Sequence, residues 1–254
     1  MWCEDFSYKL YEKLLETILI RYESISLFPD ALHLEDIKKP CVFIRHDIDV
    51  SPRIALRMAM IEQKHGIRST YMVMNRPFSY SLNNPDHIDF LLRISDLGHD
   101  LGLHYVPTEI DREYDKEGIM KMKIAGAREL LESKIGKPIN SVSFHIPSKE
   151  LINGSLIIGD MVNAYSKELM KNYISDSRGV WREGNPIDRL SVDDSEVTQV
   201  LVHPIWYGDN HLIAEDRIQE FFEEEVKMNG DKFSEKLDGA LYDMGIKVIR
   251  KNLI

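Results

Sequence analysis

Two spacings of apolar residues take turns along this chain. Leu10, Leu14 and Ile18 recur at helical spacing and predict a helix over about residues 5–23, after which Pro40-Cys41-Val42-Phe43-Ile44-Arg45 reads as a buried strand. Ser51-Pro52 then offers an N-cap residue and a proline suited to the first helical position, and the helix it opens carries Ile54, Met58 and Ile61 before Gly66 stops it. Residues 69–74 form the next predicted strand, completing a strand–helix–strand unit. The pattern recurs: Asn84-Pro85 opens a helix with Ile88, Leu91 and Leu92, Gly98 ends it, and residues 100–105 read as a strand. Met120, Ile124, Ala127 and Leu131 mark a long helix ending near Gly136, followed by a strand at 141–145. A short strand around Tyr173-Ile174, a clearer one at 199–202 and a helix with Ile218, Phe222 and Val226 continue the series.

Such alternation predicts an α/β fold with a mostly parallel sheet, either open and doubly wound or closed as a barrel. At 254 residues with no break in composition, the chain is expected to be a single domain, residues 1–254. Its net charge of −10 argues against nucleic-acid binding, which normally shows as a basic excess. No stretch approaches the ~20 apolar residues of a membrane helix, and Met1-Trp2-Cys3-Glu4-Asp5 lacks the basic start and apolar run of a secretory signal. Cys3 and Cys41 form no CxxC pair and are read as bystanders, so a reducing cytoplasm is the expected location.

Chemistry-bearing side chains collect at the C-terminal ends of the predicted strands, the rim where parallel α/β folds build their sites. His46-Asp47-Ile48-Asp49 ends the first, His104-Tyr105 the third and His145 the fourth; Asp176 follows the fifth and His203 ends the last. Asp47 and Asp49 are two apart, so an extended chain points both carboxylates one way, and a cation beside them relieves their repulsion. His99 and His104 are five apart and face opposite ways. His104, at the strand end, is the candidate ligand, while His99 reads as a structural histidine. His145 and His203 each follow apolar strand residues and lie on the same rim as the carboxylates.

Taken together these segments resemble the polysaccharide deacetylase superfamily, NodB-homology type, over about residues 45–207. Asp47 and Asp49 match its first motif, Gly98-His99-Asp100-Leu101-Gly102-Leu103-His104 its second, Phe144-His145-Ile146-Pro147 its third, Ser175-Asp176 through Trp181 its fourth and Val200-Leu201-Val202-His203 its last. The resemblance implies a distorted or incomplete (β/α) barrel, with the N-terminal helix and C-terminal helices packed outside it. It also implies a metal-dependent hydrolase that removes an N-acetyl group from a sugar, in a branch associated with surface-polysaccharide or glycan-precursor biosynthesis. Asp47 would be the base and His203 the acid. The chain departs from the family pattern twice: Thr108, with Glu109 beside it, stands where a second metal-binding histidine is usual, and His145 replaces the third-motif arginine that orients the base. The ligand set is therefore read as Asp49, His104 and His145 around a divalent ion, zinc first, with Glu109 or a water as the alternative third ligand. Tyr105, Trp181, Trp206 and Tyr207 are read as apolar faces for a sugar ring and Asp176 and Arg182 as directional sugar contacts, with Asp176 alternatively orienting a catalytic group. The expected partner is an N-acetylated sugar or glycan precursor. Two competing readings are hydrolysis of another small amide or C–N bond on the same fold, and a catalytically silent glycan-binding module.

Overall fold

The computed structural model describes residues 4–108, 117–149 and 151–229. Helix α1 spans Tyr8–Arg21 and is followed by strand β1, Ser24–Ser26, and a 3-10 turn, Phe28–His33. Strand β2, Cys41–Ile48, leads into helix α2, Pro52–Lys64, whose N-cap Ser51 accepts from the Ile54 amide. Then come β3 (Thr70–Met74), α3 (Pro85–Asp96, capped by Asn84), β4 (Asp100–Tyr105), α4 (Glu117–Ile135) and β5 (Ser141–Phe144). A small hairpin of β6 (Ile157–Ile158) and β7 (Met161–Asn163) precedes β8 (Tyr173–Ser175), helix α5 (Pro186–Ser191), β9 (Val197–Val202) and helix α6 (Ala214–Asn229). The elements expected from periodicity are present. Among the described residues β1, the hairpin and α5 are additions, each too short for periodicity to register.

The sheet has the order β6-β7-β5-β4-β3-β2-β9-β8, with β1 paired to β2, and every pairing is parallel except β6 with β7. It curls into a half-barrel, the distorted barrel expected. The two faces of β2 show how sequence makes the layers, because successive side chains alternate. Val42 and Ile44 join the apolar cluster of α1, α2 and α6, whereas Cys41 and Phe43 join Phe28, Met72, Val162 and Val197 on the other face. That second cluster fills the inside of the curl. Gly102 belongs there too, since a Cβ on it would collide with Met72 Sδ and Ser141 Oγ. Helix α6 packs Ile218 and Phe222 into the cluster shared with α1 and α2; residues 230–254 lie outside the described residues.

The helical face of the sheet also buries a polar network. The Glu62 carboxylate accepts from the hydroxyls of Tyr11 (2.6 Å), Ser69 (2.7 Å) and Tyr71 (2.6 Å) and pairs with His46 Nε2 at 2.8 Å. Burial pushes its pKa up, but His46, His99 and the Tyr11 hydroxyl more than offset that and hold it at about 2. His99 bonds the Ala59 carbonyl and the Ser69 hydroxyl in the same network, the structural position its parity with His104 predicts.

Candidate active site

Register places the candidate residues side by side before any side chain is considered. β2 pairs His46 with Val202 of β9, which makes Asp47 and His203 neighbours one step on. β4 pairs His104 with Ser143 of β5, and His145 follows two residues later on the same face. β8 pairs Ser175 with Leu201, which brings Asp176 beside the end of β9. Alternation then turns Arg45, Asp47 and Asp49 to the inside of the curl, above the apolar layer of Cys41 and Phe43. The result is a cleft of about 340 Å³, walled by Phe144, Ile146, Pro147, Tyr165, Leu201 and Trp206, into which Asp47, Asp49, His104, His145 and His203 project.

Asp49, His104 and His145 form a three-donor cluster, with ligand atoms all within 4.8 Å of one another. Asp49 Oδ1 lies 3.2 Å from His104 Nε2 and 3.7 Å from His145 Nδ1, yet it is buried without a hydrogen bond to either. Burial would raise the Asp49 pKa; His104 and His145 outweigh it and hold the carboxyl well below its usual range. His145 shifts up, because Asp49 outweighs the burial that would lower it. A buried carboxylate oxygen without a hydrogen bond, facing two imidazole nitrogens, is a donor set that suits Zn²⁺ or a similar divalent ion. His104 Nδ1 is 2.7 Å from Ser143 Oγ, a contact that fixes the ring and, with the proton on Nδ1, presents the Nε2 lone pair to the cluster. Thr108 stands at the edge of the described residues, and Glu109 lies outside them.

Asp47 is held by a residue that the sequence reading did not single out. Arg45, fully buried two positions earlier on β2, donates from Nη2 to Asp47 Oδ2 at 3.2 Å and places Nε 3.1 Å from Oδ1. The guanidinium is itself fixed by Gln199 Oε1 and the Tyr165 hydroxyl, both at 2.9 Å, and lies over the Tyr165 ring. Asp47 is thus tethered by a residue on its own strand. A charged residue at i−2 in an otherwise apolar strand was the available signal.

His203 is held by Asp176, which accepts from the His203 amide with both oxygens at 3.0 Å and meets ring Nδ1 at 2.6 Å. Burial alone would depress the imidazole pKa, but Asp176, then Asp49 and Asp47, push it up to about 9. Nε2 points at the cluster, 3.9 Å from Asp49 Oδ2. Asp176 is wholly buried and its carboxyl is shifted up by that burial, so its place is behind His203 and not against a sugar.

The remaining expected sugar contacts divide. Trp206 lines the cleft, with its indole nitrogen lacking a hydrogen bond. Tyr105 does not line it: one residue from His104, it turns to the helical face and packs against Phe144. Arg182 is exposed outside the cleft, which is lined instead by Ser177 and Arg178. Trp181 is buried against Phe6.

Fold and site define a half-barrel α/β protein with a carboxylate–imidazole centre at the C-terminal rim of its parallel strands. No protein-family model matches the chain, and no curated protein does. Solved structures similar to it include a CE4 family pseudoenzyme from Bacillus anthracis, at 15% identity and a TM-score of 0.43 over 79% of this chain and 68% of that one. Another is the catalytic domain of a peptidoglycan N-acetylglucosamine deacetylase from Eubacterium rectale, at 11% identity and a TM-score of 0.46 over 77% and 88%. A third is a polysaccharide deacetylase from Bacillus cereus, at 16% identity and a TM-score of 0.42 over 72% and 87%.

Proposed function

We propose that this chain is a metal-dependent deacetylase that hydrolyses the N-acetyl group of a sugar, in cytoplasmic assembly of a surface polysaccharide or glycan precursor. One observation carries the reading. A carboxylate clamped by a guanidinium and an imidazole charged by a buried aspartate face the same three-donor cluster in one cleft. Binding a glycan requires neither a base nor an acid; breaking an amide requires both.

Asp49, His104 and His145 are the residues that would hold the ion, with zinc the first candidate. When bound, such an ion supplies Lewis acidity toward an amide carbonyl and makes a water more acidic. Asp47 accepts the proton of the attacking water, and Arg45 fixes the direction of its carboxylate. The water oxygen adds to the acyl carbon. His203 then delivers its Nε2 proton to the amide nitrogen as the C–N bond breaks, because an amine anion is too poor a leaving group to depart unaided. Acetate and the free amino sugar result. Asp176 keeps the His203 ring directed and charged through Nδ1. Trp206 offers an apolar face for the sugar ring.

Metal analysis of the purified protein, followed by acetate release from N-acetylated sugars, tests the reading. Asp47→Asn should cut turnover by about 10²–10⁴ and keep the metal, whereas Asp49→Ala should lose both. Equal metal loss in the two variants would contradict the division of roles.

A further inference from the structure

The cleft has a cationic feature that the hydrolysis itself does not use. Arg178 is the one Lys or Arg among the residues lining it, and among the described residues it has no carboxylate within ion-pair distance. That sets it apart from the arginines of a second cavity, where Arg53 pairs with Glu224 and Glu225, Arg57 with Asp209 and Arg217 with Glu220. Arg178 is exposed where it lines the cleft, so its guanidinium is free to meet a ligand that enters.

The backbone at this position is also special. Arg178 has φ +65°, the left-handed region that glycine or asparagine occupies at least cost and a long side chain does not. It sits in a turn closed by the Gly179 amide donating to the Asp176 carbonyl at 2.9 Å, with the Ser177 amide donating to Ser175 Oγ at 3.1 Å. Gly179 is pressed so close to helix α6 and Trp206 that a Cβ would lie 2.8 Å from Ala214 Cβ. The turn begins at Asp176, which is anchored to His203. Arg178 therefore projects from a segment fixed to the acid itself, in a conformation a smaller residue would hold more easily. Conformational cost kept at a cleft points to use of the side chain there.

We infer that the substrate carries an anionic substituent, a carboxylate or a phosphate ester on or next to the acylated sugar, and that Arg178 binds it. This rests on the deacetylase reading and narrows its substrate class. Guanidinium is the side chain whose planar fork matches both oxyanions. In a chain of net charge −10 the long-range field repels such a ligand, so a local cation is needed to hold it.

The test uses the metal-loaded protein with N-acetylglucosamine, N-acetylglucosamine 1-phosphate and N-acetylglucosaminuronic acid, reading acetate release and, by calorimetry, binding. The wild type should favour one anion over the neutral sugar by about tenfold or more, the scale of a charge-assisted contact. The anion that wins identifies phosphate or carboxylate as the group recognised. Arg178→Gly suits the left-handed backbone, so folding is not the variable, and it should collapse the ratio of anionic to neutral sugar toward one. Arg178→Lys should keep part of the ratio. Equal or unmeasurable binding of the three sugars by the wild type, or an undiminished ratio in Arg178→Gly, overturns the proposal. A lack of acetate release from every sugar counts against the deacetylase reading instead; an anion preference in binding that Arg178→Gly abolishes would still uphold the anion site.

Discussion

Replacing Arg45 with methionine probes the link between the fold and the proposed base. The guanidinium is fully buried and binds Asp47, Gln199 and Tyr165 at once. Methionine fills part of its volume but leaves the Asp47 carboxylate buried without its cation. Breaking a buried pair from one side costs about 3–5 kcal/mol. In a protein of this size that corresponds to a fall in melting temperature of roughly 6–20 °C. Adding Asp47→Asn removes the stranded charge, so the double variant should recover part of the lost stability without recovering activity. A general base contributes about 10²–10⁴ in rate. If Arg45 acts only by aiming Asp47, Arg45→Met should lose much of that factor, and adding Asp47→Asn should lose little more, since both changes disable one proton transfer. Thermal or urea unfolding and initial rates of acetate release on the four proteins give both cycles. The reasoning fails if Arg45→Met melts within about 2 °C of wild type, if Asp47→Asn restores nothing in its background, or if the two rate losses multiply.

The other predictions concern the cluster, the acid and the outer network. His145→Ala should lower metal affinity, and Ser143→Ala, which frees the far side of the His104 ring, should lower it about 10–100-fold, both read by competition with a chelator. His203 is active as an acid while protonated, so activity should fall as pH rises past its raised pKa. Asp176→Asn removes the main raising influence, and the alkaline limb of kcat/KM should move to lower pH; an unmoved limb would take the acid role from His203. The Glu62 carboxyl is held at about 2 in the folded chain against an ordinary 4.5, so the stabilisation it gives is complete above pH 4.5 and erodes as pH falls toward 2. That contribution is roughly 3 kcal/mol. Urea midpoints between pH 5 and 2 should fall less steeply in Glu62→Gln, which starts from a lower plateau; parallel slopes would place the acid sensitivity elsewhere.

What the sequence disclosed depended on how local each cause is. Ser51-Pro52 and Asn84-Pro85 mark helix starts because the cap and the fixed proline φ act within one turn, and both caps stand where the residues put them. Asp47, Asp49, His104, His145 and His203 meet because parallel strands bring their C-terminal ends to one rim, a rule that needs only strand ends to be recognised. Parity carries further information. It separates His99 from His104, and the same alternation turns Tyr105 from the cleft and aligns Arg45 with Asp47. Both of these were readable from the spacing alone. Pairings across the sheet were not. Asp176 meets His203 from 27 residues away because β8 lies next to β9, and Ser143 meets His104 through the register of β4 with β5. Neither the neighbour of a strand nor its register is written in the strand's own residues. The groups that hold a catalytic side chain in place are therefore harder to read than the side chain itself. Arg45 is the instructive exception, because tether and carboxylate share one strand: the contact was recoverable from Arg45-His46-Asp47 without any knowledge of the sheet.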